Sequence, residues 1–271
     1  TSVLALQLKS QGIMLADSML LGDVLPLVGP RLTVVGTLYS FAVTGSSDGT
    51  ARLWSVDKGE CERIFKGHSG VVYAVALSVD DGLLATASGD SSARVWGVLD
   101  GECRSILRGH RGCVYSVAFS HDGTLVATAS EDCTARIWRT RTGECLQSLL
   151  DTGNVVNSAV LSMDNQLLLT ACGDGAAKLW SVEVGQVAQV FAGHDRAVSS
   201  AVFAPSGATM LTASQDGTAK LWNLARGQCL RTFRCGGWAR AASFSHDWTC
   251  VLVASADSTA SWWSVEAGEC Q

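Results

Sequence analysis

Six aspartates, each placed six residues before a tryptophan, are the residues of this chain with the clearest potential for chemistry. Carboxylates in such a series could act as the acid and base of a glycosidase, or could bind calcium. Every copy, however, lies in the same polar turn between two apolar runs, and Asp side chains commonly bond backbone amides in turns. We therefore predict a structural role for all six, which are Asp48, Asp90, Asp132, Asp174, Asp216 and Asp257.

The histidines give no more support to catalysis. His68, His110 and His194 each follow a glycine at one repeated position, and His121 and His246 lie in Ser-His-Asp turns at another. Adjacent residues of a tight turn cannot adopt the geometry of a Ser-His-Asp triad. Since a repeated position rarely makes a single active site, we predict that the protein is not an enzyme and has no catalytic residues.

Half of the ten cysteines follow the same repeat. Five of them stand seven residues after a tryptophan: Cys61, Cys103, Cys145, Cys229 and Cys270. The sequence contains no Cys-x-x-Cys and no glycine-rich phosphate loop. We predict that these cysteines are small, half-buried and reduced, and that the protein holds no metal and no cofactor.

Composition limits the possible partners. The net charge of −5 argues against a nucleic-acid partner, which would require a basic surface. No uncharged apolar run of membrane-spanning length occurs, and residues 1–7 carry no positive charge of the kind that begins a secretory signal. We expect an intracellular, cytoplasmic protein without membrane insertion and without a small-molecule substrate.

The elements that position these residues recur with a fixed period. Trp54, Trp96, Trp138, Trp180 and Trp222 lie 42 residues apart, and Trp263 follows one residue early. A period in this range indicates small supersecondary units that bury their apolar faces against one another. In the unit from His68 to Trp96, Gly and Asp turns separate β-rich runs at 71–78, 83–88 and 93–98, and 103–107 follows as a fourth run. Four short antiparallel strands per unit predict an all-β propeller.

Gly-His followed by an Asp six residues before a Trp, repeated every 42 residues, resembles the WD-repeat family of β-propellers over residues 26–271. The sequence departs from the family in one respect, because no tryptophan of the series is followed by Asp. The resemblance implies a buried chain of hydrogen bonds in each complete blade, from Trp to Ser or Thr, then to His and to Asp. We assign that structural network to His68, Ser88, Asp90 and Trp96; to His110, Ser130, Asp132 and Trp138; and to His194, Ser214, Asp216 and Trp222.

Three other blades have lost parts of this pattern. Pro26, Thr152 and Cys235 stand at the histidine position, and Cys172 replaces a serine. We predict that apolar packing holds these blades and that their amides exchange faster than those of the complete blades.

The domain organisation follows from the same alignment. We expect one propeller over 1–271, with six recognisable repeats in 29–271 and a degenerate blade in 1–28. This division gives seven blades, while six would result if residues 3–8 completed the blade of Trp263. The chain lacks an initiator Met and ends where a fourth strand should begin, so we expect a piece of a longer product.

The resemblance also implies a binding surface on the narrower end of the propeller, here called the top face. The predicted contact residues are Tyr73, Tyr115, Glu131, Asn157, Ser199, Gln215, Trp238 and Arg240, hereafter the top-face set. Tyr, Trp and Arg are enriched in interface hot spots, although a Tyr at a strand start could simply pack on its neighbour. We therefore predict a non-catalytic protein–protein interaction scaffold.

The alternative is a recognition module of a larger protein, either a ubiquitin-ligase substrate receptor or an enzyme with its catalytic domain in missing flanks. The receptors of that family often carry Trp-Asp-x-Arg, and 138–141 reads Trp-Arg-Thr-Arg. The missing acid weakens the receptor hypothesis.

Overall fold

The computed structural model describes residues 33–34, 41–151, 154–245 and 248–266, and all of its regular structure is β-strand. The strands are β1 Thr33–Val34, β2 Phe41–Gly45, β3 Thr50–Ser55, β4 Glu60–Lys66, β5 Val72–Leu77, β6 Leu83–Ser88, β7 Ser92–Gly97, β8 Cys103–Arg108, β9 Val114–Phe119, β10 Leu125–Ser130, β11 Thr134–Arg139, β12 Cys145–Leu150, β13 Val156–Leu161, β14 Leu167–Cys172, β15 Ala176–Ser181, β16 Gln186–Ala192, β17 Val198–Phe203, β18 Thr209–Ser214, β19 Thr218–Asn223, β20 Gln228–Arg234, β21 Ala239–Phe244, β22 Cys250–Ser255 and β23 Ala260–Ser264.

These strands form antiparallel meanders in chain order. Five sheets have four strands (β1–β4, β5–β8, β9–β12, β13–β16 and β17–β20), and β21–β23 form a three-stranded sheet. Strands β1 and β2 of the first sheet contact β5, and contacts between first strands then continue the series through β9, β13 and β17 to β21. The predicted all-β fold of antiparallel blades is thereby confirmed. The predicted degenerate blade at 1–28 lies outside the described residues.

The core lies between sheets, which explains the 42-residue period of the tryptophans. Trp96 of β7 packs edge-on against Phe65 of the preceding sheet, with ring centroids 5.9 Å apart. Trp138 shares a core cluster with Leu107 of the preceding sheet, and Trp222 packs edge-on against Phe191. These tryptophans therefore fill the space between their own blade and the previous one, so the blades stabilise one another.

The repeated cysteines correct one expectation. Cys61, Cys103, Cys145 and Cys229 are exposed rather than half-buried, and all are free thiols. They lie at or next to the first residue of an outer strand. The beginning of each of these strands is exposed, and its buried residues come later in the strand. Cys270 lies outside the described residues.

Candidate interaction surface

The buried polar chain of the complete blades runs through a threonine instead of the predicted serine. In the blade of Trp96, Trp96 Nε1 donates to Thr86 Oγ1 at 2.9 Å, and Thr86 Oγ1 lies 2.7 Å from His68 Nε2. The other imidazole nitrogen, Nδ1, lies 2.8 Å from Asp90 Oδ2. The same contacts join Trp138, Thr128, His110 and Asp132, and Trp222, Thr212, His194 and Asp216.

The assignment of Ser88, Ser130 and Ser214 between Trp and His is therefore wrong. Trp96 pairs with Leu84 across the sheet, and Thr86 is two residues from that position. Ser88 is two residues further along the strand, about 7 Å away, beyond the reach of the indole. Its hydroxyl instead donates to Gly70 O and accepts from the Asp90 amide, which fixes the turn.

The local chemistry makes the histidines neutral. Burial lowers the pKa of His68 below its ordinary value of 6.5, and the neighbouring Asp90 only partly opposes this effect. Burial lowers the pKa of His110 and of His194 in the same way. Burial by itself would raise the pKa of Asp90, but hydrogen bonds from Ser92 and His68 outweigh it and lower that pKa to about 2.

The blade of Trp180 has a polar network of its own, beside the apolar packing that we predict to be its main support. Trp180 Nε1 still donates to Thr170 Oγ1 at 2.9 Å. Lys178 Nζ donates to Asp151 Oδ1 at 2.6 Å and to Asp174 Oδ2 at 2.9 Å, and the Asp151 side chain is only 2% exposed. An ion triad therefore occupies the place of the His-Asp pair. Thr152, which stands at the histidine position, lies outside the described residues.

The two remaining incomplete blades differ from each other. Trp54 Nε1 donates to Thr44 Oγ1 at 3.0 Å, while Pro26 lies outside the described residues. In the blade of Trp263, the threonine position is held by Val253, which is fully buried. Trp263 Nε1 is buried without a hydrogen-bond partner in the described part of the chain.

A β-bulge positions five members of the top-face set. Tyr73 follows Val72, and the pairing of β5 with β6 skips it, passing from Val72 with Ser88 to Ala74 with Ala87. In the four sheets that follow, the pairing of the first strand with its neighbour skips the equivalent residue, namely Tyr115, Asn157, Ser199 and Arg240. A bulge re-aims a side chain and often occurs beside functional sites. These side chains therefore do not follow the regular alternation between the two faces of the sheet.

The structure brings one aromatic pair of this set together. Tyr73 and Tyr115, from adjacent blades, make an edge-to-face contact with ring centroids 5.3 Å apart. The exposed Glu131 carboxylate accepts a hydrogen bond from the Cys113 amide, next to this pair. Burial, with the negative charge of Glu131, raises the pKa of Tyr115, so its phenol stays a neutral donor. Cys113 was not predicted from the sequence.

A second pair lies on the last sheet. Trp238 is 46% exposed, and the Arg240 guanidinium carbon lies 6.0 Å from its ring centroid. Arg240 Nε is buried without a partner among the residues that the structure describes. An exposed indole stacked with a guanidinium that has a spare donor is suited to contact a protein surface.

The other members of the set are less available. Asn157 Nδ2 donates to Val198 O at 2.8 Å, so its amide links two adjacent blades. Ser199 and Gln215 are half-buried. Asn157 lies on β13, Ser199 on β17 and Gln215 directly after β18, so these three residues come from other blades than the Tyr73–Tyr115 pair and the Trp238–Arg240 pair.

The threonines that the sequence analysis missed carried a clear signal. They stand ten residues before a tryptophan and repeat every 42 residues: Thr44, Thr86, Thr128, Thr170 and Thr212. A β-branched residue with a hydroxyl, conserved through five copies of one chain at a buried strand position, indicates a specific hydrogen bond.

Comparison with known families agrees with this architecture. The model described as WD domain, G-beta repeat, matches residues 36–55, 59–97, 101–139, 143–181 and 185–223, which is more than half of the chain. The chain therefore belongs to the WD40 repeat family. No curated protein matches it. Each full match begins at the turn before an outer strand and ends on the third strand of the next sheet, so one sequence repeat joins two blades.

The described residues show neither a candidate metal site nor a membrane-spanning helix. In the described ranges, no three His, Cys, Asp or Glu side chains are grouped so that they could hold a metal ion. Across those same ranges, no helix has the length and apolarity that crossing a bilayer requires.

Proposed function

We propose that this protein is a non-catalytic interaction module that binds a partner protein through its top face. WD40 repeats generally mediate protein–protein interactions and are typically scaffolds without catalysis. The observation that carries the proposal is the β-bulge, because it directs non-repeating side chains from a repeating scaffold. The fold provides rigidity, and the side chains that differ between blades provide specificity.

The energetic centre of the proposed interface is aromatic. Tyr73 and Tyr115 form an edge-to-face aromatic pair, and Trp238 offers a half-exposed indole beside Arg240. Large aromatic side chains lose little conformational entropy on binding, which is why they dominate hot spots. Glu131 adds a carboxylate beside the tyrosines, so the partner should present hydrogen-bond acceptors to the phenols and a donor to Glu131.

The ubiquitin-ligase receptor hypothesis gains no support of its own. Arg139, at the position where an acid would be needed, is exposed and pairs with Glu144 at 3.4 Å. We therefore retain the general interaction module as the proposed function.

The proposal is tested by comparing partner recovery with variants of the top face. Quantitative affinity purification from cell extract is done with the unmodified chain, Tyr73→Ala/Tyr115→Ala and Trp238→Ala. Leu230→Ala is the matched control, since Leu230 is 49% exposed but lies on the outer strand β20. Partners lost with the top-face variants and kept with the control are then purified for calorimetry.

The expected loss of affinity for the double tyrosine variant is about 30-fold, equivalent to about 2 kcal/mol at a hot spot. Thermal unfolding of each variant shows whether the fold is retained. Undiminished binding by both top-face variants, with the fold retained, would reject this surface as the interface.

A further inference from the structure

Two adjacent outer strands of this protein lack the charges that protect the others. β4, β8 and β20 each contain two or more charged residues, whereas β12 and β16 contain none. On this uncharged rim Leu150 is 61% exposed, Val190 51% and Val187 42%. Exposed edges normally carry charges that prevent association, so an uncharged apolar edge marks a contact surface.

A cavity opens between these two strands. Its volume is about 450 Å³, and Leu150 of β12 faces Val187 and Val190 of β16 across it. Trp180 and Lys178 line it from β15, and Asp151 lines it at the end of β12. The cavity therefore has apolar walls, an aromatic contact and two charged groups.

The charges of this cavity are not balanced. Lys178 is the one ammonium of the triad and is shared by the carboxylates of Asp151 and Asp174. Asp151 Oδ1 accepts from Lys178, whereas Asp151 Oδ2 is buried and has no nitrogen or oxygen donor among the residues that the structure describes. Burial and a side-chain hydrogen bond to Asp151 raise the pKa of the Cys172 thiol, so this thiol is neutral and only a weak donor to the carboxylate.

A buried carboxylate oxygen without a partner is unfavourable, and a cationic donor would relieve it. The donor must also have an apolar stem, because the walls above it are Leu150, Val187 and Val190. Lysine and arginine have this form, an aliphatic chain with a charged head.

We propose that this groove, formed by Leu150, Asp151, Lys178, Trp180, Val187 and Val190, binds a Lys or Arg side chain that a partner protein presents between apolar residues. The cationic head contacts Asp151, the stem lies along the valines, and the flanking apolar residues of the partner cover the uncharged rim.

The equivalent positions of other blades show why this groove is distinct. At the position of Leu150 three other blades carry Lys66, Arg108 and Arg234, and the following blade carries Ala192. At the position of Asp151, the blades that keep His carry Gly67, Gly109 and Gly193. In this blade an apolar residue thus stands in place of a basic one, and an acidic residue stands in place of glycine. Both differences favour the binding of a cation from a partner.

The experiment uses four capped tripeptides, acetyl-Leu-X-Leu-amide, in which X is Lys, Arg, norleucine or Glu. Binding to the whole chain is followed by the amide shifts of Leu150, Val187 and Val190 in ¹⁵N spectra. The Lys and Arg peptides should cause saturable shifts and bind about tenfold more tightly than the norleucine peptide, since only they pair with Asp151. The Glu peptide should not bind.

Two variants of the groove and one control complete the test. Leu150→Arg copies Arg108 of the preceding blade, and Asp151→Asn removes the charge; each should weaken binding of the Lys peptide about tenfold. Tyr73→Ala/Tyr115→Ala should leave peptide binding unchanged, which separates this site from the top face. Equal binding of the Lys and norleucine peptides, no saturable shifts at these amides, or full binding by Leu150→Arg would overturn the proposal.

Discussion

Each complete network allows only one arrangement of its protons. The indole of Trp138 can only donate and the Asp132 carboxylate can only accept, so the direction of the chain is set at both ends. Thr128 therefore accepts from Trp138 and donates to His110 Nε2, which leaves Nδ1–H to donate to Asp132. The threonine hydroxyl is the single group that joins the indole to the imidazole.

Removing that hydroxyl should lower the free energy of unfolding, and adding a hydroxyl in the blade that lacks one should raise it. Thr128→Val leaves Trp138 Nε1 and His110 Nε2 unsatisfied, so we expect about 3 kcal/mol less stability. In the blade of Trp263, Val253→Thr provides an acceptor for the unpartnered Trp263 Nε1 and should raise stability by about 1 kcal/mol. Urea unfolding measures both changes. A loss of stability in Val253→Thr would show that the missing hydroxyl is not what the last blade lacks.

At the scale of elements, the blade of Trp180 shows that one sheet geometry tolerates two kinds of polar support. Lys178 occupies on β15 the position that Lys220 occupies on β19, but the two lysines have different partners. Lys178 bridges two carboxylates, one of which is almost fully buried. Lys220 Nζ donates to Thr232 Oγ1 in an exposed contact.

This difference predicts unequal effects of the same substitution. Lys178→Met leaves the buried Asp151 carboxylate without its ammonium, which should reduce stability by about 3 kcal/mol. Lys220→Met, the matched control, should change it by less than about 1 kcal/mol. The measurement is the free energy of unfolding in guanidinium chloride at neutral pH. Similar values for the two variants would mean that the triad contributes no more than an exposed lysine.

At the scale of the whole molecule, three buried neutral histidines make stability depend on pH. Burial lowers the folded-state pKa of His68, His110 and His194, so below pH 6.5 the unfolded chain binds protons that the folded chain does not. Stability should therefore be fully present above pH 6.5 and decrease as the pH falls, by up to about 1.4 kcal/mol per pH unit for each histidine. The lowered pKa values of Asp90 and Asp132 act in the same direction below pH 3.8.

Urea titrations between pH 8 and pH 5 would measure this dependence. His110→Gln should keep a decrease with a smaller slope, because one of the three histidines has been removed. A stability that stays constant or increases from pH 7 to pH 5 would contradict neutral histidines in the folded protein.

The sequence by itself determined the blades. The 42-residue tryptophan period, the Gly and Asp turns and the alternation of apolar runs predicted four-stranded units, and the predicted strand at 83–88 coincides with β6. These features are local, since turns and strands depend on residues close together in the chain. The top-face set could be listed for the same reason, as positions in a repeat.

Tertiary structure decided which of these side chains meet. Thr86 and Ser88 lie on the same side of one strand, and both hydroxyls recur in the complete blades, so the repeat indicates two buried hydroxyls but not which of them meets the indole. The pairing of Leu84 with Trp96 brings Thr86 to the indole. The triad of Asp151, Lys178 and Asp174 joins residues from two sheets, and the groove beside it exists only where β12 and β16 come together. Contacts between distant segments depend on register and on packing between blades, which no local pattern specifies.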